Sequence, residues 1–209
     1  MISKSILETG KMLAQGKIPK LFVFDLDYTL WAFDCGRNIV PPFKLCSMFG
    51  TFDYYGRPAN LPNEVKEIIT ALVDNDIPIA IASRNSDINC VVDLMKHIPI
   101  KCKKGDVTLF DVITNMQVYS SDGTGAKNKH FAEIKKATDI GFDQMVFFDD
   151  LPENVHAAQR QGTTSILVGR RGLCWDNITE ALTMWRLRMD SLQQTLDKQT
   201  QTDDHGQIA

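Results

Sequence analysis

The chain has 209 residues, 44% hydrophobic and 23% charged, with a formal net charge of -3. That length suits one domain with a substantial core, and a second full domain would be crowded. Such mild acidity gives no electrostatic reason to expect nucleic acid, and no apolar run approaches the ~20 residues that span a bilayer, so neither nucleic acid nor membrane is an expected partner.

In chain order, residues 1–19 read as an N-terminal extension, and residues 21–26, Leu-Phe-Val-Phe-Asp-Leu, as a strand covered on both faces. Residues 31–60 are crowded with aromatics and turn formers, Trp31, Phe33, Phe43, Phe49, Phe52, Tyr54 and Tyr55 among them, and read as a hairpin-sized or flap-sized insertion. Trp31 is either part of a small satellite core or an aromatic rim beside a bound ligand. Val65, Ile68, Ile69, Leu72 and Val73 recur at helical spacing and define one apolar helix face. Residues 77–82, Ile-Pro-Ile-Ala-Ile-Ala, predict a second strand, with Pro78 tolerable only near its start. Helices are expected near 86–97, 128–139 and 152–161, with Pro152 in the first turn of the last.

Residues 98–126 carry a Lys-Lys-Gly turn, a short strand near 113–119 and a Ser-Ser-Asp-Gly-Thr-Gly loop. Further strands are expected at Met145–Phe148 and Ser165–Val168. Strands alternating with helices imply an α/β fold, a doubly wound, Rossmann-like, mostly parallel sheet with helices on both faces. A late helix carries Ile178, Leu182, Trp185, Met189, Leu192 and Leu196 in one stripe. Packing on the sheet is the plainer reading, a dimer seam the sharper one, so a monomer is favoured over a dimer. The domain is expected to span 20–196, and the polar residues 197–209 to form a disordered tail.

Five cysteines, Cys35, Cys46, Cys90, Cys102 and Cys174, are odd in number and contain no Cys-x-x-Cys pair. This argues against a disulfide framework or zinc site and for buried thiols in a reducing compartment. The short apolar pieces in residues 1–20 suit neither a signal peptide nor a transit peptide, and the cytoplasm is the expected location.

Three polar clusters fall at the carboxyl ends of expected strands, where open parallel sheets bind ligands: Asp25-Leu26-Asp27-Tyr28-Thr29, Ser83-Arg84-Asn85, and Asp149-Asp150. Taken singly, each is ordinary turn and cap chemistry. Together they bring carboxylates into one crevice, where mutual repulsion calls for a compensating cation, and a hard divalent ion such as magnesium fits oxygen ligands.

Phe24-Asp25-Leu26-Asp27-Tyr28-Thr29-Leu30-Trp31, with Ala82-Ser83-Arg84 and Met145-Val146-Phe147-Phe148-Asp149-Asp150, resembles the haloacid dehalogenase (HAD) superfamily of phosphatases, and within it the magnesium-dependent phosphatase family. The resemblance spans roughly residues 20–170 and implies a HAD-like fold without a full cap domain. It implies Asp25 as nucleophile, forming an aspartyl-phosphate, and Asp27 as acid then base, with its backbone carbonyl on Mg2+. Asp25, Asp27 and Asp149 are the implied metal residues, with Asp150 close by or acting through water.

Ser83 would bind the phosphoryl group and Arg84 orient the substrate, a surface salt bridge being nearly as good an account of Arg84. Lys127 is the implied catalytic lysine, also touching the phosphate; Lys129 remains an alternative, and Lys103 or Lys104 a weaker one. Thr29 is expected to hydrogen-bond the turn that positions the two aspartates. Asn154 reads as a helix-surface amide, His97, His156 and His205 take no role, and His130 stays open. The implied reaction is hydrolysis of phosphotyrosine-type or sugar phosphate monoesters, the substrate being a phosphorylated small molecule or a phosphoprotein. A dehalogenase has no need of Asp27, a phosphoaccepting signalling domain has its acid pair first rather than last, and a non-catalytic scaffold has no need of both Asp25 and Asp27.

Overall fold

Five parallel strands build the sheet on which everything else sits, in the order β7 (Asn115–Val118), β4 (Ile79–Ser83), β1 (Leu21–Phe24), β8 (Met145–Asp149) and β9 (Thr164–Leu167). In the computed structural model, which describes residues 9, 10, 12, 17–120 and 127–205 and their side chains as far as residue 197, β1 is at the centre. Its neighbours are β4 and β8, with β7 and β9 at the edges. Pro78 precedes β4, where its missing N–H disturbs no ladder bond.

Period-two alternation sends the side chains of β1 to opposite faces. Phe22 and Phe24 pack with α1 (Asn63–Asp74), α2 (Ile88–Lys96) and the early part of α5 (Trp175–His205). Leu21 and Val23 pack with Phe131 and Ile134 of α3 (Asn128–Thr138) and Ala158 of α4 (Pro152–Gln161). Helices therefore cover both faces, and the continuous apolar run of β1 is explained.

The insertion after β1 contains a two-stranded hairpin, β2 (Lys44–Cys46) with β3 (Gly50–Phe52). It is fastened to the body through the Thr51 hydroxyl, which donates to the carbonyl of His97 at 2.5 Å, and through Asn60, which exchanges two bonds with the Thr51 backbone. Its aromatics divide: Trp31 and Phe43 are buried, whereas Phe49, Tyr54 and Tyr55 are exposed. A second hairpin, β5 (Pro99–Cys102) with β6 (Gly105–Thr108), turns at Lys103-Lys104 where the sequence marks only a turn. Residues 121–126, most of the expected Gly-rich loop, lie outside the described residues, as does most of the N-terminal extension.

Two expectations about the C-terminal part need correction. The backbone stays helical through His205, so the disordered stretch expected from 197 is not what is found up to that point; residues 206–209 lie outside the described residues. The apolar stripe of α5 is also divided. Ile178, Leu182 and Trp185 are buried on the sheet and Met189 packs partly against the core, but Leu192 and Leu196 are exposed. The helix outruns the sheet that it covers. Among the described residues no helix is long and apolar enough to cross a membrane.

Candidate active site

The direction of chain winding reverses at β1, whose connections lead to β4 on one side and whose other neighbour, β8, comes later in the chain. A crevice at the carboxyl end of such a strand is where open α/β sheets hold ligands. Here it is a cleft of about 740 Å³ that Asp25, Asp27, Ser83, Arg84, Lys127 and Asp150 help to line. The three polar clusters expected at strand ends are thus brought together.

Asp25 continues β1, its N–H donating to the carbonyl of Phe148 at 3.0 Å. The chain then turns sharply: the N–H groups of Thr29 and Leu30 both donate to the Leu26 carbonyl, at 3.1 and 2.9 Å, and Tyr28 takes a left-handed φ of 60°. That is uncommon for a residue with a Cβ, and holding it requires surrounding structure to fix the turn. Part of that support comes from the Leu173 N–H, which donates to the Thr29 carbonyl at 3.0 Å. Gly172, at φ 79°, lies so close that a Cβ there would meet the same carbonyl oxygen at 3.2 Å. Thr29 hydrogen-bonds the turn through its backbone, and its buried hydroxyl has no hydrogen-bond partner among the described residues.

Lys127, immediately before α3, reaches between two strand ends. Its Nζ lies 2.5 Å from Oδ1 of Asp25 and 2.6 Å from Oδ2 of Asp149, with the lysine side chain 2% exposed. Lys129, the alternative, instead sits over the Tyr119 ring, and Lys104 pairs with Asp76. Asp25, Asp149 and Asp150 each offer a carboxylate oxygen within 4.8 Å of the others. Asp150 therefore belongs to the same carboxylate cluster.

Burial, only partly offset by Lys127 and reinforced by Asp149, pushes the Asp25 carboxyl up to about 7. Burial and then Asp149 also raise Asp150. One ammonium against these acids leaves negative charge in a desolvated place, and the all-oxygen donor set suits a hard divalent cation.

Asp27 has different surroundings. Its Oδ1 accepts from the Trp31 indole Nε1 at 2.7 Å and from the Cys35 N–H at 3.0 Å, and its Oδ2 from the Asn85 amide at 2.8 Å. Burial raises its pKa, with the Trp31, Cys35 and Asn85 hydrogen bonds pulling the other way.

Trp31 is only 1% exposed and stacks on Phe33 at 5.5 Å, which overturns the reading of Trp31 as a rim for substrate. Asn154 is also corrected: it is buried, and its amide lies 3.0 Å from both oxygens of Asp149. Position alone, three residues into a helix that follows the acid pair, could have suggested it.

Ser83 ends β4, buried against the cleft, its Oγ accepting from the Asn85 N–H at 3.2 Å. His130 lies behind it, with Nε2 at 2.9 Å from the Ser83 carbonyl and 3.1 Å from that of Tyr119, on whose ring it stacks. Those acceptors require a proton on Nε2, and burial lowers the pKa, which favours the neutral ring. Arg84 meets Glu153 at 3.9 Å at the cleft wall.

Fold and site define a HAD-like phosphatase class, and residues 17–188 match the model of the acid phosphatase family. The chain belongs to that family. It is 32% identical over 166 residues to magnesium-dependent phosphatase 1 of Homo sapiens, covering 79% of this chain and 86% of that one. A HAD-like hydrolase superfamily protein of Schizosaccharomyces pombe is 31% identical over 158 residues, 73% of this chain and 87% of its own. Among solved structures, the N-terminal part of a Bacteroides fragilis protein containing a phosphatase domain, complexed with Mg, superposes with a TM-score of 0.54 at 21% identity. That match covers 86% of this chain and 43% of the other, and it carries the fold.

Proposed function

We propose that the chain is a magnesium-dependent phosphatase of the cytoplasm that hydrolyses phosphate monoesters through an aspartyl-phosphate on Asp25. The observation that carries this reading is the placement of Asp25 at the switch-point strand end, in contact with Lys127 and within reach of Asp149 and Asp150. Asp25, Asp149, Asp150 and the Asp27 carbonyl would hold magnesium, which when bound supplies positive charge that lets an anionic carboxylate approach an anionic phosphate.

The protein's own groups divide the remaining work. An oxygen of Asp25 attacks phosphorus in line with the ester bond. Lys127 and the Ser83 hydroxyl neutralise and hold the phosphoryl oxygens, and Arg84 orients the substrate. Asp27, whose pKa burial raises, gives its proton to the leaving oxygen. Oδ1 already accepts two hydrogen bonds and Oδ2 one, so Oδ2 is the oxygen with room for that proton. In the second step Asp27 takes a proton from the water that attacks phosphorus, and Asp25 is released.

Substrates are phosphate monoesters of the phosphotyrosine and sugar types. The insertion after β1 supplies a hairpin rather than a lid domain, and Tyr28, half-exposed, gives the cleft its aromatic surface. The testing experiment is an acid quench during turnover of a labelled ester with magnesium present. A hydroxylamine-labile acyl phosphate mapping to Asp25, absent in Asp25→Asn, is the expected result. Full turnover by Asp25→Asn, or in excess chelator, refutes the mechanism. A panel of phosphopeptides and sugar phosphates ranks the substrates.

A further inference from the structure

Cys35 and Cys90 lie 55 residues apart in sequence, yet their Sγ atoms are 3.0 Å apart. Both thiols are free and buried. The contact joins two pieces of the site. Cys35 belongs to the loop after β1 and lines the cleft, while Cys90 sits in the first turn of α2, where its N–H donates to the capping carboxylate of Asp87 at 2.9 Å. Loop and helix also touch beside the pair, since a Cβ on Gly36 would lie 3.4 Å from that of Asp87. Cys35 has a second connection: its N–H donates to Asp27 Oδ1 at 3.0 Å and its carbonyl accepts from the Asn85 amide at 2.7 Å. Asn85 in turn donates to Asp27 Oδ2.

We propose that Cys35 and Cys90 form an oxidisable dithiol whose disulfide displaces the Cys35 backbone from Asp27 and so lowers turnover reversibly. The effect on turnover rests on the role given to Asp27 above, whereas formation of the bond does not. A disulfide is about 2.05 Å long, so the sulfurs close by about 1 Å, and Cys35, on an irregular loop, yields before a helix does. The hydrogen bonds of Cys35 to Asp27 and Asn85 tolerate little displacement.

The oxidant is a small peroxide entering by the cleft. The Cys35 sulfur attacks the O–O bond, forming S–OH as the O–O bond breaks, and the departing hydroxide takes up the thiol proton to give water. The Cys90 sulfur then attacks the sulfenic sulfur. The S–S bond forms, the S–O bond breaks, and hydroxide leaves with the Cys90 proton as a second water. Two thiols and one peroxide give one disulfide and two waters.

The test treats the full-length, magnesium-loaded protein with hydrogen peroxide, blocks remaining thiols under denaturing conditions, and maps peptides by mass. The expected result is a Cys35–Cys90 link with turnover of an alkyl phosphate reduced about tenfold, the scale of one charge-assisted hydrogen bond, and recovery in dithiothreitol. Cys90→Ser should keep the reduced protein's activity and lose the response. Oxidation confined to Cys46, Cys102 and Cys174, which are only partly buried, overturns the proposal, as does a link that leaves turnover unchanged. In Asp27→Asn the link should still form with no further loss, and a further tenfold loss there refutes action through Asp27. The link is read by mass without turnover, so failure of the phosphoenzyme mechanism is seen separately.

Discussion

The indole Nε1 of Trp31 donates to Oδ1 of Asp27 at 2.7 Å, one helical turn's worth of sequence away, across the tight turn that follows β1. An aromatic residue whose sequence position fits either a satellite core or a surface for substrate therefore holds the carboxylate proposed as the acid. Trp31→Phe keeps most of the ring volume and removes the donor. Turnover of an alkyl phosphate should fall about tenfold, the worth of one hydrogen bond to a charged group, with a smaller loss for an activated aryl phosphate. This donor favours the carboxylate, so its loss raises the Asp27 pKa, and the alkaline limb of the pH–rate profile should move up. Trp31→Ala adds a cavity and should cost roughly 3–5 kcal/mol of stability. An unshifted limb in Trp31→Phe would show that the bond has no bearing on proton transfer.

Lys127 is the cation facing Asp25 and Asp149, and it is buried with them. Lys127→Met leaves acids in a dry place without it, a change that costs roughly 3–5 kcal/mol when no protonation relieves it. The pH dependence follows from Asp25, whose folded-state pKa is raised, by burial first, to about 7. Between the ordinary carboxylate range and that value the folded state holds a proton that the unfolded state has lost, so stability falls as pH rises. Removing Lys127 extends this window upward. Urea unfolding without magnesium should show a smaller difference between wild type and Lys127→Met at pH 5 than at pH 8.

Magnesium should compete with the same proton. Its stabilisation, read as the rise in melting temperature at fixed concentration, should be larger at pH 8 than at pH 6. An equal rise at both values would place the ion away from Asp25.

Asn154 fixes Asp149 through its amide, 3.0 Å from each carboxylate oxygen. Asn154→Ala frees that carboxylate to turn, and partners that orient metal-binding side chains are typically worth 10–100-fold in affinity. The magnesium concentration giving half-maximal activity should rise by about that factor, with turnover at saturating magnesium much less affected.

The sheet was legible because each central strand is an unbroken apolar run ended by a polar cluster, and the fold puts those ends together. Asp25, Ser83, Lys127, Asp149 and Asp150 meet at the cleft because three neighbouring strands end there and one helix starts there. The holders were harder to read. Cys35 acts on Asp27 through its backbone, which leaves no mark in the sequence, and Trp31, Asn85 and Asn154 have side chains equally suited to other places. The β5–β6 hairpin was missed because Lys101, Lys103 and Lys104 break the apolar pattern that a buried strand would show.

The stripe on α5 offers a test of where the core stops. Met189 is partly buried, packs against the core and accepts a long contact from the Gln144 amide at 3.8 Å, whereas Leu192, one turn on, is 44% exposed. The two were expected to behave alike, and the structure separates them. Met189→Glu brings a charge against apolar neighbours and should lower stability by about 1–3 kcal/mol. Leu192→Glu should stay within about 0.5 kcal/mol of wild type, as surface changes do. Urea unfolding of the two single variants gives the comparison, and sedimentation gives the state of association. A wild-type dimer that Leu192→Glu turns into a folded, active monomer would assign the exposed part of the stripe to a second copy of the chain. A monomer throughout, with only Met189→Glu destabilised, places the end of the core between the two residues.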